Sequence, residues 1–433
     1  MNDESLATSR TALKILLYSF PTSGHINPTL PLTTELVKRG HEVIYFATQS
    51  YAGQIRNAGA DFRAIPDIIG IESKKLPFDL QAAKAKDIIP LFANGIANSI
   101  NAIPELLACA RQEAADMVLY DPMCMWGQQI VRLLALPSIA FYTTFPAMGQ
   151  SPLAQQMALK DSDLLSMVSP VIRILGATIR VNLKDRIPVR PIFPREMLTN
   201  AAELNIAPIP RRFVPDGQAF DKRYLFIGPS VARQNEADDF PLERLRNEHT
   251  LYISLGTMLN KKPHFFRACL QAFAETEWQV VMSIGKTDPA TLGPIPENFI
   301  VRPSVPQLKV LQNADLFITH GGMNSTMEGL WHGVPLIAIP SQPEQELVAD
   351  RIAALGLGVR LNHNDVTPNI LRNAVQTIMD QPAYRQRIAA IQAEMHAARG
   401  PLQAADAIEQ YVDSRKGILA QAGGRGSSVA GNR

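Results

Sequence analysis

The sequence predicts an α/β protein made of two doubly wound domains, each a parallel sheet wrapped in helices, facing one another across a cleft. Three observations carry that prediction. Short, continuously apolar runs alternate with helical patterns along most of the chain, as strands covered on both faces require. The pattern restarts after Phe240. The 433 residues also exceed what one hydrophobic core usually serves, so two or three domains are expected.

Leu13–Ser19 (LKILLYS) forms the first buried strand in this scheme. A loop, PTSGHINP, follows it, then a helix over Leu30–Arg39 and a second strand, Glu42–Ala47. Gly40 stops the helix, because glycine takes the left-handed conformation of a helix end at little cost. Strands recur at Met117–Tyr120 and Ser138–Tyr142. Ser151–Ile209, rich in Met, Leu, Pro and Ile, interrupts the alternation and predicts helices and loops added to the first domain. The second half runs strand Thr250–Leu255, helix Phe265–Ala274, strand Gln279–Ile284, strand Leu316–Thr319, a helix from about Asn324, and strand Pro335–Ile339. The polar stretch Gly228–Pro241 (GPSVARQNEADDFP) marks the boundary. The expected organisation is a first domain over 11–228, a linker at 229–241, a second domain over 242–399, a helix at 400–416 packing back on the first, and a Gly/Ser/Arg-rich disordered tail at 417–433.

Composition narrows the function. The 42 basic and 40 acidic residues leave a net charge of +2, which gives no electrostatic reason to expect nucleic acid as partner. No stretch approaches the roughly 18 apolar residues of a membrane span, so no stable membrane insertion is expected. Cys109, Cys124 and Cys269 are far apart, against both a disulfide scaffold and a zinc site. The opening MNDESLATSR is acidic and polar, unlike a secretory signal, and a cytoplasmic location is expected.

Five constellations can carry chemistry. Ser23-Gly24-His25 follows the first strand, a place where an imidazole can serve as general base; a loop or capping histidine is the plainer alternative. Asp121 ends the strand Met117–Tyr120. If the two strands are neighbours its carboxylate can stand behind that imidazole; a turn aspartate before proline is, taken alone, the commoner case. Thr319-His320-Gly321-Gly322-Met323-Asn324-Ser325 leads from a strand into a helix with Glu328 one turn on. Small residues permit close approach of a ligand, Asn324 or Ser325 can cap the helix, and a helix N-terminus attracts anions, phosphate above all. Ser254-Leu255-Gly256-Thr257 can offer a hydroxyl and amides to the same phosphates. Glu344-Gln345 suits sugar hydroxyls, although an acid at a helix start has its own electrostatic reason to be there. Asp161-Ser162-Asp163 matches the DxD pattern of some metal-dependent sugar-nucleotide enzymes but looks like a helix start.

Together, PxxGHxxP after the first strand and the block VPQLKVLQNADLFITHGGMNSTMEGLWHGVPLIAIPSQPEQ (Val305 to Gln345) resemble the UDP-glycosyltransferase superfamily, family 1, of GT-B fold, and within it the bacterial macrolide glycosyltransferase type. The resemblance implies two Rossmann-like domains and an inverting, metal-independent transfer of a hexose, glucose by default, from a UDP-sugar to a hydroxyl of a small apolar acceptor. It implies no cofactor beyond the UDP-sugar as co-substrate. By resemblance His25 is the general base and Asp121 its charge partner. Thr257, His320, Gly322, Asn324 and Ser325 face the diphosphate, Glu328 the ribose, Gln307 the base-and-ribose end, and Glu344 with Gln345 the sugar. Residues between Ile68 and Asn101 and across Ser151–Ile209 are expected to supply acceptor-lining loops. One departure matters: Ser304 stands where the family usually has a tryptophan that stacks on uracil, which leaves a TDP-sugar open as donor. A non-catalytic paralogue would be marked by loss of the histidine or its acid, and both are present. An epimerase would need no acceptor.

Overall fold

The computed structural model describes residues 12–68, 85–146, 164–191, 201–231, 240–245, 249–256 and 262–426. Its strands are β1 Lys14–Tyr18, β2 Glu42–Ala47, β3 Asp61–Ala64, β4 Met117–Tyr120, β5 Ser138–Phe141, β6 Leu204–Ala207 and β7 Tyr224–Phe226, then β8 Thr250–Ser254, β9 Gln279–Ser283, β10 Phe299–Arg302, β11 Leu316–Thr319, β12 Leu336–Ala338 and β13 Gly358–Arg360. The helices are α1 Ser23–Ile26, α2 Leu30–Lys38, α3 Ala52–Asn57, α4 Ala85–Gln112, α5 Met125–Leu134, α6 Leu164–Lys184, α7 Pro263–Phe273, α8 Gln307–Leu311, α9 Met323–Trp331, α10 Pro343–Ala354, α11 Pro368–Met379, α12 Pro382–Ala397 and α13 Pro401–Gly426.

The strands form two sheets, seven-stranded in the order β3-β2-β1-β4-β5-β6-β7 and six-stranded in the order β10-β9-β8-β11-β12-β13. Every pairing is parallel. Both sheets therefore reverse their winding between the first strand and the fourth, at β1/β4 and at β8/β11. Helices leave on opposite faces at such a point, and a crevice opens beyond the strands' carboxyl ends. The buried runs explain the strands: Ile15, Leu16, Leu17 and Tyr18 of β1 are all within 1% of fully buried, as are Leu316, Phe317 and Ile318 of β11. An all-apolar strand suits a sheet covered on both faces.

Several expectations change on contact with the fold. The PTSGHINP loop is not extended: Ser23–Ile26 is a helical turn that runs through a short 3-10 turn, Asn27–Thr29, into α2. Pro28 lies at the start of that 3-10 turn, where its missing amide costs nothing. Of the acceptor-lining loop expected from Ile68 to Asn101, residues 85–101 are helical, part of the long α4. The interruption over Ser151–Ile209 contains α6, as expected, but also β6, a central strand paired with β5 and β7. The final helix continues to Gly426, beyond residue 416 where the sequence reading ends it. Leu419, Ala420, Gln421 and Ala422 are good helix formers and carry it past Gly417. Residues 427–433 and 232–239 of the linker lie outside the described residues.

Helix α13 lies against the first sheet's helices, not the second's. Ala404, Ala405, Ile408 and Val412 belong to the same core as Leu17, Leu32 and Leu36. Polar contacts reinforce that seat. Arg39 Nη1 reaches Asp406 Oδ1 at 2.7 Å and Glu409 Oε2 at 3.3 Å, and His41 Nε2 is 3.1 Å from Glu409 Oε1 with both residues buried.

Candidate functional site

The two switch points meet in the site. His25 follows β1 and Asp121 follows β4, and the register Tyr18↔Tyr120 sets those strand ends side by side. His25 Nδ1 lies 2.5 Å from Asp121 Oδ2. The carboxylate is fixed in turn: the Met123 amide donates to Oδ1 at 2.8 Å and the Phe20 amide to Oδ2 at 3.4 Å. Asp121 is 2% exposed. A buried carboxylate at Nδ1 holds the proton there and leaves the Nε2 lone pair to accept another, the arrangement a general base needs. Burial pulls the imidazole pKa down; the Asp121 charge, the hydrogen bond to it and the charge of Glu344 together outweigh that and raise it above 6.5. Thr143, just after β5, places Oγ1 2.8 Å from the same Nδ1. Sequence reading does not reveal it, because it lies 118 positions from His25 in no motif; its only signal is its position after a third strand of the same sheet.

In the second sheet, β8 and β11 flank the other switch point. His320 follows β11 and packs over two glycines. A Cβ on Gly256 would come within 2.7 Å of its ring and one on Gly322 within 2.4 Å, and Gly256 has φ +78°. Any side chain at either position would displace the ring. Burial, assisted by the positive charge of Lys262, lowers the His320 pKa to about 4, so the ring is neutral at physiological pH. Its Nδ1 is buried without a protein partner.

Gly322 is the N-cap residue of helix α9, and no side chain caps the helix. The expected capping by Asn324 or Ser325 does not occur. Asn324 Nδ2 instead donates to the Gly24 carbonyl at 2.9 Å, across from one half to the other. Ser325 Oγ lies 3.4 Å from Gln307 Nε2. The first amides of α9 are thus left to whatever occupies the crevice. The same Gln307 Nε2 donates to Glu328 Oε2, and its Oε1 accepts from Tyr252 Oη at 2.8 Å. Tyr252, on β8, is a second residue that sequence reading misses, since it is hidden inside an apolar strand.

The charge of Glu344, in the first turn of α10, adds to the upward shift of the His25 pKa. Gln345 is turned inward: its Oε1 accepts from the Ser341 amide at 3.0 Å, and its Nε2 donates to Gln342 Oε1 at 3.1 Å. Ser304 is exposed and brings no ring to its side of the crevice. Thr257 and Asp161-Ser162-Asp163 lie outside the described residues. Among the described residues no three His, Cys, Asp or Glu side chains converge as metal ligands, and no helix is long and apolar enough to cross a membrane.

Two facing doubly wound sheets, with a His–Asp pair at one switch point and an uncapped helix after a Gly-Gly turn at the other, are what the resemblance to GT-B glycosyltransferases implies. Comparison with known proteins agrees. Residues 267–411 match the family model described as the erythromycin biosynthesis protein CIII-like C-terminal domain. The chain is 36% identical over 414 residues to the NDP-glycosyltransferase YjiC of Bacillus licheniformis, covering 92% of this chain and 97% of that protein. It is 35% identical over 399 residues to YjiC of Bacillus subtilis, covering 92% and 97%. Among solved structures it superposes on CalG4, the calicheamicin glycosyltransferase, with a TM-score of 0.76 at 29% identity, over 93% of this chain and 98% of that one. The chain belongs to the family 1 glycosyltransferases, of the macrolide type.

Proposed function

We propose that this enzyme moves a hexose, glucose by default, from a nucleoside diphosphate sugar to a hydroxyl of a small apolar natural product with inversion at the anomeric carbon. The observation that carries the reading is the 2.5 Å contact between His25 Nδ1 and Asp121, set opposite Asn324 and Glu344 of the other half. His25 Nε2 takes the acceptor's hydroxyl proton. The freed oxygen attacks C1 of the sugar from the face opposite the diphosphate, and the C1–O bond to the leaving phosphate breaks. The α9 amides and a neutral His320 then meet the charge that develops on the leaving group. Glu328 and Gln307 take the ribose and base end, Thr257 adds a phosphate contact, and Glu344 with Gln345 takes the sugar. Gln345 must leave its contacts with Ser341 and Gln342 to do so. No metal ion takes part in this scheme.

UDP-sugar is the first choice of donor. A TDP-sugar is the second reading, favoured by one observation, the exposed Ser304 in place of an aromatic platform. The test is transfer by purified protein in EDTA from UDP- and TDP-glucose to phenolic and macrolide hydroxyls, read by mass spectrometry as a hexose adduct. His25→Ala should lose about 100-fold or more of the rate while still binding nucleotide. Near-normal turnover in that variant would remove the mechanism.

A further inference from the structure

Helix α6 is apolar on two opposite sides. Pro170, Ile174, Ala177, Thr178 and Val181 are buried, on the side by which the helix packs against α4. The other side carries Val168 at 55% exposure, Ile172 at 63%, Leu175 at 39%, Ile179 at 56% and Leu183 at 77%. Among the described residues these are five of the seven large apolar side chains that are exposed; Ile295 and Leu402 are the others. At about 100° per residue they fall in one stripe roughly opposite the buried one, about 22 Å long at 1.5 Å per residue. A contiguous apolar stripe on a protein surface marks a contact with something.

Its charged surroundings identify the partner. Over residues 168–186 there are four basic side chains, Arg173, Arg180, Lys184 and Arg186, against one acid, Asp185, although the whole chain is nearly balanced at 42 to 40. All four basic residues are exposed. Arg173 is held at the stripe's edge by Asn94 Oδ1, 2.5 Å away. Asn182 brackets Val189 with two hydrogen bonds, 3.2 and 2.8 Å, so the chain turns back and keeps Lys184 and Arg186 at the stripe's end. A second copy of this helix is a poor partner, because pairing would juxtapose like charges. Five side chains also bury well under the roughly 800 Å² per partner of a stable interface.

We propose that α6 is a peripheral membrane-contact helix, which lays its apolar stripe among the acyl chains at the interface while its arginines and Lys184 meet anionic headgroups. An apolar stripe edged with basic residues has the composition of helices that lie in a bilayer interface. The contact is shallow and reversible, and no segment spans the bilayer.

Co-sedimentation of the full chain with vesicles tests this, using phosphatidylcholine alone and phosphatidylcholine with about one third phosphatidylglycerol. The protein should pellet with the anionic vesicles and stay in solution with the neutral ones. The double variant Ile172→Gln, Ile179→Gln should bind at least about tenfold more weakly, and Arg180→Glu should also weaken binding. Both should melt with the unaltered protein, since neither touches the buried side. Failure of the unaltered protein to pellet with anionic vesicles overturns the proposal, as does undiminished binding by the double variant. A dimer in solution that the double variant splits, with no vesicle binding, would reassign the stripe to contact between copies.

Discussion

His25 combines three influences that sequence alone could not weigh against one another. Burial favours the neutral ring, whereas Asp121 and Glu344 favour the cation, and the charges prevail. A raised pKa means that the base is protonated, and idle, below a pH higher than its ordinary 6.5. We expect kcat/KM to fall about tenfold per pH unit on the acid side of that value and to level off above it. Asp121→Asn removes the carboxylate charge, so the limb should move to lower pH while the plateau drops about 100-fold or more, the imidazole having lost its orientation. A pH profile of both proteins, taken with saturating donor, checks this; an unmoved limb would mean that another group titrates. Both residues were legible as candidates because each follows the carboxyl end of an apolar run, His25 in the loop after it and Asp121 directly. Thr143 was not, for nothing in FYTTFP distinguishes the threonine that reaches Nδ1 from its neighbour.

At the scale of elements, the turn between β11 and α9 does its work through what it lacks. Gly256 and Gly322 leave room for the His320 ring, and the helix that follows carries no side-chain cap. Gly322→Ala should therefore push the imidazole aside and weaken nucleoside diphosphate binding by about tenfold or more, as expected for a change of 1.4 kcal/mol or above. Isothermal titration with UDP measures it; unchanged affinity would detach His320 from the donor site. Gly322 could be read directly from THGGMNS and Gly256 from SLGT, and the strand before each from its unbroken apolar run. Three of the strands that escaped reading are of another kind. β3 (DFRA) is half-polar at the sheet's edge, β13 (GVR) has three residues and one glycine, and β6 (LNIA) carries the buried Asn205. Asn205 side-chain bonds to Ala202 and Arg223 keep that polar group satisfied inside the sheet. No local periodicity signals a strand whose polar residue is paid for by tertiary contacts.

On the scale of the molecule, the halves are joined at more than one place. Asn324 reaches the Gly24 carbonyl, and the Arg351 guanidinium of α10 donates to the carbonyls of Arg212, Phe213 and Val214, the first two at 2.6 and 2.9 Å. The return of α13 is the third tie. Glu409, 5% exposed, shares its carboxylate between His41 and Arg39. Arg39 would keep Asp406 and Glu35, but the buried His41 Nε2 would lose its partner, so Glu409→Ala should cost about 2 kcal/mol in urea unfolding and leave the donor site's affinity for UDP unaltered. The two-sheet plan could be read from the repeat of the βα pattern, and Gly400 marks where the last helix begins; nothing in the sequence of that helix says which half it joins. The bond from Asn324 to Gly24 spans 300 positions, and no sequence pattern announces such a pairing.

The seat of α13 also bears on the order in which the chain can mature. Ala404, Ala405, Ile408 and Val412 close a core whose other walls include β1, α2, β2, β4 and β5, but the ribosome delivers them only after all of the second sheet. The first half of the polypeptide therefore emerges with one flank of its interior still uncovered, and it waits in that state, exposed to chaperones and to aggregation, while the remainder is synthesised at about 5–20 residues per second. The second half has no such debt. In this molecule the part made first is the part finished last.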